Sequence, residues 1–231
     1  MALRTHYDTK AILLRSAEAL FVERGIDAVS MREINRHAGQ RNASSLHYHF
    51  SSRDNLLEAL IDWRMPPVNR RRHAMVELCR QAAPEERRRK LTEAIVMPLA
   101  ETMFERDPPN HWIRLHARIY EVSSFDFSAV FHTKGYNSGL LAVRQIHEAL
   151  SPELPQLIRD QRLMFAIRMS VYSLADWLRG VLKMQSMIPV DDPNIFLGNL
   201  LDVMNASLYA PVTPFSVPLH AWQNQDTGHT R

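Results

Sequence analysis

Apolar residues recur along this chain at helical spacing and nowhere sustain a strict apolar–polar alternation, so the pattern predicts an all-α protein. Over residues 9–24, Leu13, Ala17, Leu20 and Phe21 fall at i, i+4, i+7 and i+8, the stripe of a core-facing helix, and Gly25 supplies its stop. Ser30 and Glu33 then stand at capping-box spacing. Met31, Ile34 and Ala38 face inward until Gly39 ends that short helix. After a turn at Gln40-Arg41, a third helix is predicted over about 42–50, with Ala43, Leu46 and Phe50 on its inner side. Ser52 opens a fourth, with Leu56, Leu57, Leu60 and Ile61 apolar and an end before Pro66-Pro67.

Farther on, helices are predicted at about 68–82, 85–105 (bent near Pro98), 110–123, 138–150, 154–184 and 193–209. Residues 124–137 are ambiguous and leave room for a short helix. Beyond Pro211 the tail carries Pro214 and Pro218 and reads as extended or disordered. The expected division is a head over 1–64, a second helical unit over 65–210 and a tail over 211–231.

Composition narrows the class. The 231 residues are 45% hydrophobic and 23% charged, which rules out wholesale disorder. No apolar run approaches the roughly 18–20 residues that span a bilayer, and the N-terminus has no signal-peptide core, so a soluble, cytoplasmic protein with no membrane association is expected. The single Cys79 excludes an internal disulfide and a Cys-rich zinc site, and its apolar surroundings mark a structural thiol. Charge is uneven. Residues 1–60 hold 8 basic against 7 acidic side chains, residues 61–90 hold 9 against 4, and the remainder 11 against 14. A basic first third suggests an anionic partner there. The runs Arg70-Arg71-Arg72 and Arg87-Arg88-Arg89-Lys90 read as solvated helix faces, the second supported by Glu85–Arg89 and Glu86–Lys90 at i, i+4.

Catalytic and metal signatures are missing from the sequence. There is no Gly-rich phosphate loop and no G-x-S-x-G, so neither an enzyme nor a cofactor is expected. His47 and His49 point about 200° apart on a helix and cannot share an ion, and His111 and His116 lack a carboxylate in register.

Two short helices joined by a tight turn and braced by a longer one make a helix-turn-helix. With Ala43, Leu46 and Phe50 inward, the second of the pair exposes Arg41, Ser44 and Tyr48, flanked by Ser45 and His47. That surface is small at its start and rich in donors, as a major-groove reader needs. Helix N-termini at Ser30, Asn42 and Ser52 would aim free amides at phosphate, and Arg53 would add a charged clamp.

The strings IDAVSMREINRHAG and SLHYHFSSRDNLLEAL resemble the DNA-binding domain of TetR-family transcriptional regulators. The family's third-helix signature is an aliphatic residue, two aromatics, His and Phe, then a Ser/Lys-type turn. Leu46-His47-Tyr48-His49-Phe50-Ser51-Ser52-Arg53 matches it, with His47 for the usual Tyr and Arg53 for Lys. The turn is one residue longer than the commoner form. Ser44, Ser45, His47 and Tyr48 therefore carry over by matching from Phe50, while Arg41 and Asn42 rest on their own helical position. By the same matching, Ser30 and Arg32 occupy DNA-contacting positions.

The resemblance further implies a C-terminal domain that holds a small-molecule pocket and dimerises. Phe104, Trp112, Phe127, Met164, Tyr172 and Trp177 are its candidate walls, with His116, Tyr120 and Asp176 to orient a largely apolar effector; a satisfied core polar group is the alternative for each of these three. On the last two helices, Ile167, Val171, Leu174, Leu178 and Val181, with Leu200, Leu201, Met204 and Leu208, form stripes that two copies could join into a four-helix interface. The function these features imply is a homodimeric, sequence-specific repressor on a pseudo-palindromic double-stranded operator, released by its effector. The alternative is a ligand-independent architectural DNA-binding protein.

Overall fold

The computed structural model describes residues 2–40, 48–105, 110–180 and 192–212, and every regular element among them is helical. Helix α1 (Ala2–Arg24) begins earlier than its periodicity indicates and buries Leu13, Leu14, Ala17, Leu20 and Phe21. It ends where Gly25, at φ +98°, donates its N–H to Phe21 O at 2.9 Å. A side chain at that φ would be strained, which explains the glycine. Helix α2 (Met31–His37) starts on the expected capping box, Glu33 N–H donating to Ser30 Oγ at 3.2 Å and Ser30 N–H to Glu33 Oε2 at 2.8 Å. Ile26, Val29, Ile34, Phe50, Leu56, Leu57 and Leu60 are buried and close the core of the head.

Helix α3 (Arg53–Gln81) runs unbroken through Pro66-Pro67, where the sequence predicts two helices. The prolines remove two N–H donors, but the inner face stays buried on both sides of them, through Leu60, Ile61, Met65, Val68, Met75, Val76 and Cys79. At 29 residues the helix is about 43 Å long, and it carries the head's core into the second unit. Cys79 is buried and donates its S–H to Arg87 O at 3.3 Å; burial pushes its thiol up, away from reactivity.

The first arginine run does not lie wholly on the surface. Arg70 is exposed and exposed Arg71 pairs with Glu101 at 2.8 Å, but Arg72 is buried. The second run opens helix α4 (Arg87–Ala100), with Glu85 and Glu86 before it. Lys90 pairs with Glu93 at 3.2 Å, Arg89 pairs with Glu93 at 3.6 Å and also with Asp202, and Arg88 Nη2 donates to Leu150 O at 3.1 Å. These arginines tie elements together besides solvating a face.

A 3-10 turn (Glu101–Phe104) follows, then α5 (Trp112–Ile119). The ambiguous stretch holds α6 (Phe127–Thr133), capped by Asp126, which accepts from Ala129 N–H at 2.9 Å. Helices α7 (Ser138–Leu150), α8 (Gln156–Arg179) and α9 (Pro193–Tyr209) complete the unit. Helix α7 packs on α3 and α4, α8 on α5, and α9 on α8 and α4.

The stripe expected to meet a second chain is largely core of this one. Val171, Leu174, Leu200, Leu201, Met204 and Leu208 are buried, and Ile167 and Leu178 are half-buried; Val181 lies outside the described residues. Periodicity marks a buried face without saying which chain buries it. Outward, α8 turns Leu157, Met164 and Phe165, and α9 turns Ile195 and Val203.

Candidate nucleic-acid interface and ligand cavity

In the head, the start of α3 is tied to the loop that leads into α2. Arg53 Nη2 donates to Val29 O at 2.9 Å and Nη1 to Asp27 Oδ1 at 3.3 Å, so the guanidinium expected to clamp phosphate is engaged within the head. Ser52 Oγ accepts from Asn55 N–H at 3.1 Å. Two helix starts thereby sit side by side, each carrying the partial positive charge that attracts phosphate. Ser30, Arg32, Arg36 and His37 lie on or beside the start and outer face of α2, and all four are exposed. Tyr48 is 78% exposed while Phe50, two residues later, is 3% exposed, so the chain roots in the core at Phe50 and turns the phenol outward. Arg41, Asn42, Ser44, Ser45 and His47 lie outside the described residues.

The second unit contains a cleft of about 390 Å³, within the usual range for small-molecule sites. Its apolar wall comes from Phe127, Phe131, Leu140, Leu163, Met164 and Ile167, with Tyr120, Arg168 and the Arg144–Asp160 pair (2.6 Å) completing it. Behind it lies an inner chamber of about 60 Å³, which shares Tyr120, Phe127, Phe131, Leu140 and Ile167 with the cleft and adds Arg72 and His116.

Aromatic rings pack around the chamber. His116 lies 5.1 Å from Trp112, 4.9 Å from Tyr120 and 4.9 Å from Phe127, centroid to centroid. Burial, then the neighbouring Arg72 charge, pushes His116 down to about 3, so the imidazole is neutral, and neither nitrogen has a protein partner. Burial likewise raises the Tyr120 phenol to about 12.

Of the residues expected to meet a ligand, His116, Tyr120, Phe127 and Met164 line these cavities. Trp112 is fully buried behind His116. Phe104 is exposed at the end of the 3-10 turn, Tyr172 sits 6.3 Å from Tyr120, Asp176 pairs with Arg179, and Trp177 stacks on Phe196 at 5.7 Å. These four line neither cavity. Ile167 and Val171, assigned to the dimer stripe, line the chamber. The residue that sequence reasoning missed is Arg72, and a signal was present: it stands seven residues after Met65 and seven before Cys79, on the apolar face of α3.

Helix α5 joins cavity to head. Trp112, His116 and Tyr120 run along its inner side at i, i+4 and i+8, and Arg118 Nη2 donates to Val22 O, near the end of α1, at 3.0 Å. A second tie is the buried pair of α1 and α3: Arg64 Nη2 and Nε donate to the two Glu18 oxygens at 2.6 and 3.1 Å.

A capped short helix, an outward phenol beside helix starts and an attached helical unit are the described parts of a protein of the helix-turn-helix class. Residues 13–60 match the family model described as bacterial regulatory proteins, tetR family. No curated protein matches the sequence. The fold is similar to solved structures at low identity. NalD, the secondary repressor of the MexAB-OprM multidrug efflux pump in Pseudomonas aeruginosa, is 18% identical, with TM-score 0.57, over 90% of this chain and 100% of that one. A TetR-family regulator from Mesorhizobium loti is 18% identical (TM-score 0.52, 88% and 94% covered). PfmR from Thermus thermophilus is 16% identical (TM-score 0.52, 87% and 99% covered). The match over residues 13–60 points to a regulatory DNA-binding protein, and no described helix is long and apolar enough to cross a membrane.

Proposed function

We propose that this protein is a homodimeric transcriptional repressor that holds a pseudo-palindromic operator and is released from it by a small, largely apolar effector. The observation that carries the reading is the two-part cavity on α5, the helix that also grips the end of α1 through Arg118. An effector seated against Tyr120 and Phe127 bears on α5, and α5 bears on the head. Release requires the effector to favour the arrangement that does not fit DNA; tight binding to both arrangements changes nothing. Ser30, Arg32, Arg41 and Asn42 serve the phosphates and neighbouring edges, Ser44, Ser45, His47 and Tyr48 read the major groove, and Arg53 holds the start of α3 to the loop before α2. The dimer forms through the outward apolar residues Phe165, Ile195 and Val203, and a Phe165→Glu variant is expected to sediment as a monomer. Likeness to NalD, described as a repressor, supports the same direction of control.

The test is fluorescence anisotropy with duplexes tiled across the protein's own upstream region, at several salt concentrations. One tile bound tightly, and weakened by Tyr48→Ala, is the expected result. Equal, steeply salt-dependent binding to every tile would leave only the phosphate contribution and establish the architectural alternative.

A further inference from the structure

Arg72 carries a full charge into the interior without a counter-ion. It is 5% exposed, and among the described residues no carboxylate pairs with it. Two of its donors are held by the fold, Nε donating to Ala94 O at 3.2 Å and Nη2 to Ile95 O at 3.4 Å. Ala94 O is the carbonyl that Pro98, four residues on, has no N–H to satisfy. These bonds fix the guanidinium against α4 and leave Nη1 buried with no protein partner, on a residue that lines the inner chamber.

The surroundings fix the arginine further. The first turn of α7 lies against Arg72: a Cβ on Gly139 would stand 3.2 Å from the arginine Cδ, and Gly139 N–H donates to Asn69 Oδ1 at 3.0 Å. The first turn of α7 thereby packs on the aliphatic stem of Arg72 and holds it in place, its Gly139 N–H being taken by Asn69. His116, on the same chamber, is neutral and keeps both nitrogens available, so it can donate to an acid from one of them. At about 60 Å³ the chamber holds about two waters or one carboxylate, and the cleft of about 390 Å³ adjoins it, the two sharing Tyr120, Phe127, Phe131, Leu140 and Ile167 in their walls.

We propose that the chamber is an anion subsite and that the effector is an amphipathic carboxylic acid, its carboxylate on Arg72 and His116 and its hydrocarbon body in the outer cleft. This rests on the cavity being the effector site. An isolated buried cation gains most from a ligand that brings the missing charge, because charge-assisted hydrogen bonds in a low dielectric are the strong ones. A neutral amide of the same shape can accept from Nη1 but leaves the charge unbalanced.

The test is calorimetric titration of the full chain with a series of straight-chain and ω-phenyl carboxylates of about four to twelve carbons, a span set by the size of the two-part cavity, each against its primary amide. The expected result is that at least one acid binds, about tenfold or more tighter than its amide. Arg72→Met should abolish that preference, while the ligand-free melting temperature changes little, the removal of an unpaired buried charge offsetting the loss of the bond to Ala94 O. Binding of acid and amide alike overturns the subsite, as does failure of every acid at millimolar concentration, or an Arg72→Met variant that melts normally and keeps the preference. Should Arg72→Met fail to fold, the wild-type acid–amide comparison still decides. Operator release, followed separately by anisotropy, distinguishes the two readings. Release by neutral compounds alone sinks the acid and leaves the repressor, whereas acid binding without release does the reverse.

Discussion

The head and the second unit solve the same packing problem with opposite treatment of buried polar groups. In the head they are largely matched: Glu18, 1% exposed, is held by two donors of Arg64, Ser30 and Glu33 satisfy each other, and Arg53 occupies Val29 O. In the second unit, Arg72 Nη1, both His116 nitrogens, Trp112 Nε1, Trp177 Nε1 and Tyr209 OH are buried without a protein partner. Each such group costs about 1–3 kcal/mol. A surface that must fit a groove of fixed dimensions benefits from one rigid arrangement. A chamber that keeps unmet polar groups around open space is left for something else to complete.

That contrast can be broken at either end. The largest effect is expected at the joint of α1 and α3: Glu18→Ala leaves the Arg64 guanidinium, 11% exposed, with only the exposed Glu105 at 3.9 Å among the described carboxylates, and should lower the unfolding free energy by about 3 kcal/mol in urea titrations. A loss under about 1 kcal/mol would mean that the head tolerates an unmatched charge as the second unit does.

Next comes His116. Its folded value of about 3 lies below the ordinary 6.5, so between the two the unfolded chain takes up a proton that the folded chain refuses. Stability is then intact above about 6.5 and falls as pH drops below it, by about 1.4 kcal/mol per unit. Between about pH 7 and pH 5 the wild type should lose about 2 kcal/mol more than His116→Leu. Parallel losses would show that the folded chamber accepts the proton.

Tyr48→Ala should weaken operator binding by about 10–100-fold and leave stability within about 0.5 kcal/mol, because the ring is 78% exposed. An equal fall in both would make Tyr48 a packing residue. The smallest effect is expected from Ser30→Ala, which removes the α2 cap and should cost about 1 kcal/mol of stability in the same urea titrations.

The sequence by itself determined the helical class, the capping box at Ser30 and Glu33, the stop at Gly25 and the first two helices of the head, the helix expected over about 42–50 lying mostly outside the described residues. Each is local, set by residues within one or two turns of each other, where periodicity and cap chemistry act. It also pointed to His116, Tyr120, Phe127 and Met164 as cavity residues. Only the tertiary structure decided the rest. Pro66-Pro67 break a helix unless both flanks are buried on one face, and burial is a property of what packs there. Val171, Leu174 and Met204 show the same stripe whether this chain's own helices or a second chain cover it. Arg72 read as surface because it ends a run of three arginines, yet the carbonyls that seat it, Ala94 and Ile95, lie 22 and 23 residues away on α4. A charge is judged by its surroundings, and its surroundings come from other helices.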